Sequence, residues 1–200
     1  MPRPRSQSRD TLVENAMQHF WVHGYEATSM EDLVRVTGVG RGAIYSEFGG
    51  KRDLFLACLA HYQGTAVTPA FAIVEADGAD LTAIKTFLNT GVSAIKEMGL
   101  PAPGCLMGNT LTELGAHDAE IASAVRAHYD RLTEGFACAL ANEVDRSSTD
   151  ADIVELAGFL AVSAQGLWSY ARVAKSIKDL KRKSETLIEV LQLKLISMRG

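Results

Sequence analysis

Proline is scarce in these 200 residues: there are five, and two of them (Pro2 and Pro4) stand at the very start. Long segments therefore run without the residue that most reliably breaks a helix. Cysteine is equally thin. Cys58, Cys105 and Cys138 make an odd number with no C-x-x-C spacing. That argues against a disulfide scaffold or a zinc knuckle and favours a reducing, cytoplasmic setting. No uncharged apolar run approaches the roughly 18 residues of a membrane span, so none is expected. The basic opening MPRPRSQSRD has no apolar stretch behind it, which speaks against a secretory signal. Internal repeats, low-complexity tracts and a convincing pair of strands are missing as well.

What is present is helix-forming material. Apolar residues make up 47% of the chain, enough for a sizeable core. The expected fold class is all-α. A helix-turn-helix DNA-binding domain is expected at residues 1–50 and a larger helical effector-sensing and dimerisation domain at 51–200, with a helix at 51–63 joining them.

The first helix is expected from Arg9 to His23, because Val13, Ala16, Met17 and Phe20 recur on one face. Gly24 closes it as a left-handed cap. Ser29-x-x-Asp32 resembles a shortened capping box and opens a second helix that runs to Val36. Gly38 supplies a turn, and a third helix covers Arg41 to Phe48. Gly49-Gly50 breaks it, and Lys51 starts a fourth that continues to Tyr62. Further helical segments are 66–76, 80–98, 105–116, 118–145, 151–176 and 179–198, with Asp118 as the cap of the long one. Asp77-Gly78, the Pro/Gly loop 99–104 and the polar stretch 146–150 separate them.

Two short helices around a glycine turn make a helix-turn-helix, the unit that lays its second helix in the major groove of DNA. The net charge of −4 does not oppose this. Residues 1–55 carry seven basic and seven acidic side chains, so the excess acid belongs to the rest of the chain, and the first nine residues hold three arginines and no acid. Local placement governs phosphate contact. A helix that reads bases needs a slim first turn, and Gly40, Arg41, Gly42 and Ala43 meet that need. Arg41 is the long donor there, suited to a bidentate contact with guanine. Ile44 and Phe48, four apart, are expected to face the core, leaving Tyr45 and Ser46 toward a DNA operator. Lys51, at the start of the fourth helix, is placed to meet a phosphate, and Thr28 and Ser29 are expected to do the same from the second helix. His19 and His23 lack a third ligand nearby and read as a solvent-facing pair. No metal or other cofactor is expected.

The ordered set Gly24-Tyr25, Thr28-Ser29-Met30-x-Asp32-Leu33, Thr37-Gly38-Val39, Gly42-x-Ile44-Tyr45-x-x-Phe48 and Lys51-x-x-Leu54 resembles the DNA-binding head of the tetracycline-repressor (TetR) family. It covers about a quarter of the chain. Two positions depart from that pattern: Glu47 stands where an aromatic or His is frequent, and Gly50 where Ser often caps the fourth helix. Glu47 brings an acid near the DNA face. Gly50 costs at most a few tenths of a kcal/mol as a cap. The resemblance implies an effector-responsive transcriptional regulator, a repressor, that works as a homodimer with its last two helices packed against their copies. The apolar residues Leu187, Ile188, Leu191, Leu195, Ile196 and Met198 of the last helix, with Leu156, Phe159, Leu160, Leu167 and Trp168 of the one before, are the expected interface.

Two sensing routes are open. Residues 104–114 resemble a branch of the family that includes N-ethylmaleimide-responsive repressors, whose matching cysteine senses electrophiles and oxidants. That cysteine is Cys105, near a helix N-terminus that would favour its thiolate. The plainer alternative is a buried cysteine that only packs, which is how Cys58 and Cys138 read. The second route is a small apolar or aromatic effector held among helices, with Phe87, Met107, Leu111, Tyr129, Phe136, Phe159 and Trp168 as candidate wall residues. Two other classes stand beside the regulator: a thiol-dependent enzyme using Cys105, for which no Cys/His pairing is evident, and a helical scaffold that does not bind DNA.

Overall fold

The computed structural model describes residues 8–198; Arg3 and Arg5 of the basic opening lie outside them. Among the described residues the elements are all helical. The head comprises α1 (Arg9–His23), α2 (Met30–Thr37) and α3 (Arg41–Phe48), and α4 (Lys51–Tyr62) follows. Ser8 caps α1 by accepting from the Thr11 amide. The capping box of α2 is complete: Ser29 accepts from the Asp32 amide while the Asp32 carboxylate accepts from the Ser29 amide. These bonds satisfy amides that the first turn otherwise leaves open. Gly38 and Gly49 take the left-handed conformation that ends α2 and α3. Gly24 ends α1 differently, at φ 86° and ψ 170°, outside the expected left-handed well and in a region open essentially to glycine alone.

Leu33, Ile44, Phe20 and Phe55 are fully buried and give the head its core. The Phe20 and Phe55 rings meet edge to face at 4.9 Å. Truncating Leu33 to Ala would cost about 2–5 kcal/mol.

Helix α4 packs on α1 and α3 and also touches α7, so it bridges head and body. It does not stop at Tyr62. The backbone stays helical through a five-residue π-helix, Gln63–Val67, into α5 (Thr68–Phe71). Pro69 has no N–H for the carbonyl of Thr65, and a widened turn just before a proline accommodates that missing bond. The segment expected at 66–76 is thus the end of this continuous rod.

The body holds α6 (Leu81–Met98), α7 (Leu106–Leu114), α8 (Ala119–Val144), α9 (Ala151–Tyr170) and α10 (Ile177–Met198). Asp118 caps α8 as expected, accepting from the amides of Glu120 and Ile121. Helix α9 ends at Tyr170 rather than 176, where the Ala171 carbonyl accepts from the Ala102 amide of the 99–105 loop. Phe71, Phe87 and Phe136 form an edge-to-face cluster inside the body.

One set of apolar side chains finds no cover in the single chain. Val154, Phe159 and Val162 of α9 and Val190, Leu193 and Ile196 of α10 are exposed, Leu193 by 69%. Most of the residues expected on this face lie elsewhere. Leu156, Leu160, Leu167 and Trp168 of α9, and Ile188, Leu191 and Leu195 of α10, are buried within the subunit. The apolar stripe is wide enough to serve both an inner and an outer face, and periodicity alone does not separate them.

Candidate nucleic-acid interface and effector cavity

The surface around α3 is open. Gly40, Arg41, Gly42, Tyr45 and Ser46 are exposed, while Ile44 and Phe48 are buried behind them. Gly40 caps α3 without a side-chain hydrogen bond, and a Cβ at Gly40 or Gly42 would meet nothing within 4 Å. The first-turn amides of α3 therefore face outward on a slim surface. The Arg41 guanidinium lies 5.6 Å from the centre of the Tyr45 ring and 3.6 Å from the Glu31 carboxylate. Both contacts are on the surface and weakly held.

Of three other head residues, Thr28 departs from expectation, while Ser29 and Lys51 each make a contact within the head. Thr28 is buried and donates its hydroxyl to the Gly24 carbonyl at 2.6 Å, so it has nothing to offer a phosphate. Ser29 is exposed, but its hydroxyl already serves the α2 cap and lies 2.7 Å from an Asp32 oxygen. The Asp32 carboxyl is held well below the usual carboxylate range by Ser29 and then by Arg35. Lys51 is half-buried with its ammonium 4.2 Å over the Tyr25 ring, a cation–π contact that positions it beside the head. Glu47 is neutralised by Arg9, whose Nε lies 3.2 Å away; the same guanidinium lies 5.0 Å from the Phe48 ring centre. This acid of α3 is thus paired with another head residue. His23 is exposed and His19 half-buried, with rings 4.3 Å apart, and among the described residues no cluster suited to a metal occurs.

Behind the head lies a cavity of about 190 Å³. Its wall draws on α1, α4, α6, α8 and α9. Trp21, Tyr62, Phe87 and Trp168 supply aromatic surface, and Cys105, His128 and Gln165 supply polar atoms. The exposed Ala70, Thr90, Ala94 and Met98 lie at its rim. The absence of a side chain at Gly91 makes the Trp168 wall possible, since a Cβ there would fall 2.3 Å from the indole.

Of the expected wall residues, Phe87 and Trp168 line the cavity. Met107 is buried in the core away from it, and Phe136 is consumed by the aromatic cluster. Tyr129 is half-buried, edge-on to His128 at 5.6 Å. Leu111 and Phe159 are exposed on the outer faces of α7 and α9. Trp21, Tyr62, His128 and Gln165 were missed. The signal for two of them was a polar residue inside an apolar stripe: His128 among Ile121, Val125, Leu132 and Phe136, and Gln165 among Ala161, Ala164 and Trp168.

Cys105 is buried at the N-cap of α7. Burial pushes its thiol pKa up, and the amides of Gly108 and Met107 and the Tyr62 hydroxyl only partly oppose that. The expected thiolate stabilisation by the helix N-terminus is therefore outweighed. Cys58 is buried as expected, but Cys138 is exposed.

Head and cavity are physically joined. The Trp21 indole N–H donates to the Gly104 carbonyl at 2.9 Å. Glu113, on α7, accepts from the amides of Tyr25 and Glu26 at 3.0 and 2.8 Å. Arg52 of α4 donates to both oxygens of Asp118 and to Glu120, a bidentate pairing that holds the Asp118 carboxyl down to about 2.

An open helix-turn-helix face carried on an all-helical body defines a DNA-binding transcriptional regulator. Residues 12–58 match the family profile described as bacterial regulatory proteins, tetR family. The HTH-type transcriptional repressor ComR of Escherichia coli (strain K12) is 30% identical over 193 residues, covering 94% of this chain and 90% of that protein. The TetR family regulator CifR, as a cysteine mutant in complex with 26-bp operator DNA, shares the fold with a TM-score of 0.72 at 26% identity, over 96% of this chain and 98% of that one. A TetR regulator from Chloroflexus aurantiacus J-10-FL superposes with a TM-score of 0.77 at 25% identity, over 92% and 93%. The chain belongs to the TetR family of transcriptional regulators.

Proposed function

We propose that this regulator is a homodimeric repressor that leaves its operator when a small molecule fills the cavity behind the head. Arg41 reads a base edge, Tyr45 and Ser46 contact the backbone, and Lys51 faces a phosphate at the start of α4. Gly40 and Gly42 let α3 sit deep in the groove, and Ser29 approaches the backbone from α2. The exposed apolar stripe of α9 and α10 supports pairing through the last two helices, because an uncovered patch of this kind marks an interaction surface. Pairing also supplies two reading helices for half-sites about 34–36 Å apart. The domain division follows the same logic: residues 1–50 read DNA, residues 51–200 sense and dimerise, and α4 connects them. A cytoplasmic location fits a DNA partner.

The observation that carries release by a ligand is the position of Trp21. It belongs to α1 of the head and to the cavity wall at once. Anything that fills the cavity presses on a helix of the DNA-binding unit, as well as on Tyr62 at the end of α4. Cys105 shares that wall, so an electrophile small enough to fit would also meet its thiol.

The test is a mobility-shift titration on the DNA upstream of the chain's own gene, over a range of salt. Specific binding is expected at roughly 10⁻⁸–10⁻¹¹ M, with a salt slope of about −0.9 per phosphate contacted. Arg41→Ala should relax base preference, and Lys51→Ala should weaken all sequences alike with a shallower salt slope. Retention of full, specific binding in both variants would overturn this assignment of the face.

A further inference from the structure

We propose that the corner between α9 and α10 is a second DNA-facing surface, carried on the body, that attracts the phosphate backbone without reading sequence. The proposal rests on the pairing through α9 and α10 put forward above, and it gives the body a part in DNA binding that the head does not supply.

Charge is sorted sharply along the body. Residues 171–183 hold six bases (Arg172, Lys175, Lys178, Lys181, Arg182 and Lys183) and one acid, Asp179. The rest of residues 56–200 holds seven bases and sixteen acids. A stretch of net +5 thus stands in a body that is otherwise net −9. Little of this positive charge is answered locally. All six bases are exposed. Asp179 is taken up by Lys183 and the Tyr170 hydroxyl, and Lys181 lies 3.8 Å from Glu185. Among the described residues, Arg172, Lys175, Lys178 and Arg182 make no ion pair. Helix stability does not explain the cluster either. Lys178 is in the first turn of α10, where the helix dipole disfavours a cation. Lys181 and Arg182 follow it at three and four residues, the spacings at which like charges repel.

Position supplies the partner. The Ala171 carbonyl accepts from the Ala102 amide, and the Arg172 side chain packs on Gly104, where an added Cβ would fall 3.3 Å from its Cγ. Gly104 in turn accepts from Trp21 of α1. The corner therefore lies at the end of the body that carries the head. The other end of α10, which has 22 residues, is about 33 Å away. The uncovered apolar side chains, Val154 to Val162 on α9 and Val190 to Ile196 on α10, occupy the half of each helix remote from the corner. Pairing through them brings the two corners beside the two-fold axis, on the side of the heads. Reading helices in successive major grooves are about 34–36 Å apart, and the duplex between them passes in front of that axis. Two stretches of net +5 standing close together repel. A polyanion laid across them relieves that repulsion and releases its own counterions.

The test compares two variants of the full-length protein with the same change in net charge. One is Lys178→Gln/Arg182→Gln at the corner. The other is Lys85→Glu, near the end of α6 remote from the 99–104 loop. Anisotropy titrations use the duplex upstream of the chain's own gene and an unrelated duplex, from about 50 to 200 mM salt. The corner variant should lose about tenfold at the low-salt end on both duplexes, with its salt slope shallower by about 0.9 or more. The ratio between the two duplexes should not change. Lys85→Glu should stay within about threefold, because its charge is screened over that distance. An equal loss in Lys85→Glu would assign the effect to net charge and overturn the corner. A loss confined to the operator would do so too, since a backbone contact carries no sequence. Unchanged affinity and slope in a corner variant that still forms dimers would overturn this proposal alone. An unaltered protein that sediments as a monomer would overturn it together with the pairing. Circular dichroism and sedimentation check the corner variant. If it fails to fold or pair, Lys175→Gln in the connecting loop is compared with Lys85→Gln, and equal affinities there would overturn the corner.

Discussion

Trp21 and Gly104 are joined by one hydrogen bond, 2.9 Å from indole nitrogen to carbonyl oxygen. The donor belongs to the first helix of the DNA-binding head, and the acceptor immediately precedes Cys105 at the mouth of α7. Both residues also form part of the cavity wall. At the other end of α7, Glu113 grips the turn that follows the same head helix. A short body helix is thus clamped to α1 at both of its ends, and one clamp is exposed to whatever fills the cavity. The path from the cavity wall to the head is therefore short. It does not rely on α4 alone.

Trp21→Phe keeps an aromatic ring against Tyr62 but leaves the Gly104 carbonyl without its donor. A stability loss of about 1–2 kcal/mol is expected, measured as a lower urea midpoint. DNA affinity in the absence of effector should stay within about threefold, because the reading surface of α3 is untouched. A midpoint equal to that of the unaltered protein would mean the clamp contributes nothing in solution.

Glycine substitutions separate folding from reading. At Gly42 a Cβ enters open space within a helix, so Gly42→Ala should stabilise the protein by up to about 1 kcal/mol. The same methyl stands between α3 and the groove, and operator affinity should fall. Gly24→Ala should do the reverse. Its backbone sits at φ +86°, and a Cβ would lie 3.1 Å from both Glu113 oxygens, so a loss of about 1–3 kcal/mol is expected. Thermal melts and anisotropy titrations on the two variants check this; a Gly42→Ala protein that is more stable and binds DNA unchanged would take α3 out of the groove.

The head was legible because its local signals agree. Caps, glycine turns and the four-residue spacing of Ile44 and Phe48 all point to one arrangement, and each concerns residues close in sequence. Thr28 escaped because a hydroxyl at the start of a helix has two uses, and only the folded chain reveals that this one reaches back to Gly24. The cavity was legible only in Phe87, Trp168 and Cys105. Its other aromatic wall comes from α1 and α4, and nothing in a periodic pattern tells which helix of another domain will lie opposite. Glu113, Arg52 and Asp118 act across 66 to 88 residues of sequence, a distance over which spacing carries no information. The stripes of α9 and α10 show the same limit: hydrophobic content marked both helices, but which side faces inward depends on what α6 and α8 cover.

Pairing through α9 and α10 is tested at Val162 and Leu193, exposed by 64% and 69% in the single chain. Because neither side chain contributes to the subunit's own core, Val162→Glu and Leu193→Glu should fold normally by circular dichroism. A carboxylate buried in an apolar interface without a partner costs several kcal/mol. Sedimentation should therefore shift from dimer to monomer, and operator binding should weaken with it. Buried neighbours such as Leu191 are unsuitable for this test, since their loss would damage the subunit itself. Dimers that persist in both variants would move the interface to another face.

His128 gives the fold a pH dependence whose direction follows from burial. Desolvation lowers its pKa from 6.5 to about 4, with Arg131 adding to the effect. In the unfolded chain the imidazole binds a proton near pH 6.5, whereas in the fold it remains neutral until about pH 4. Between these values the unfolded state holds more protons, so stability falls as pH drops. Nothing is lost above pH 6.5, and the loss amounts to on the order of 3 kcal/mol by pH 4. The Arg52–Asp118 pair acts lower: a carboxyl depressed to about 2 from 3.8 withdraws its support progressively as pH falls below about 5. Urea denaturation at pH 7, 5.5 and 4.5 separates the two, because the second has scarcely begun to titrate. In His128→Gln the decline across that range should flatten, and the amide should still bond to one of the flanking glutamines. An equally steep decline in the variant would place the proton uptake on another group.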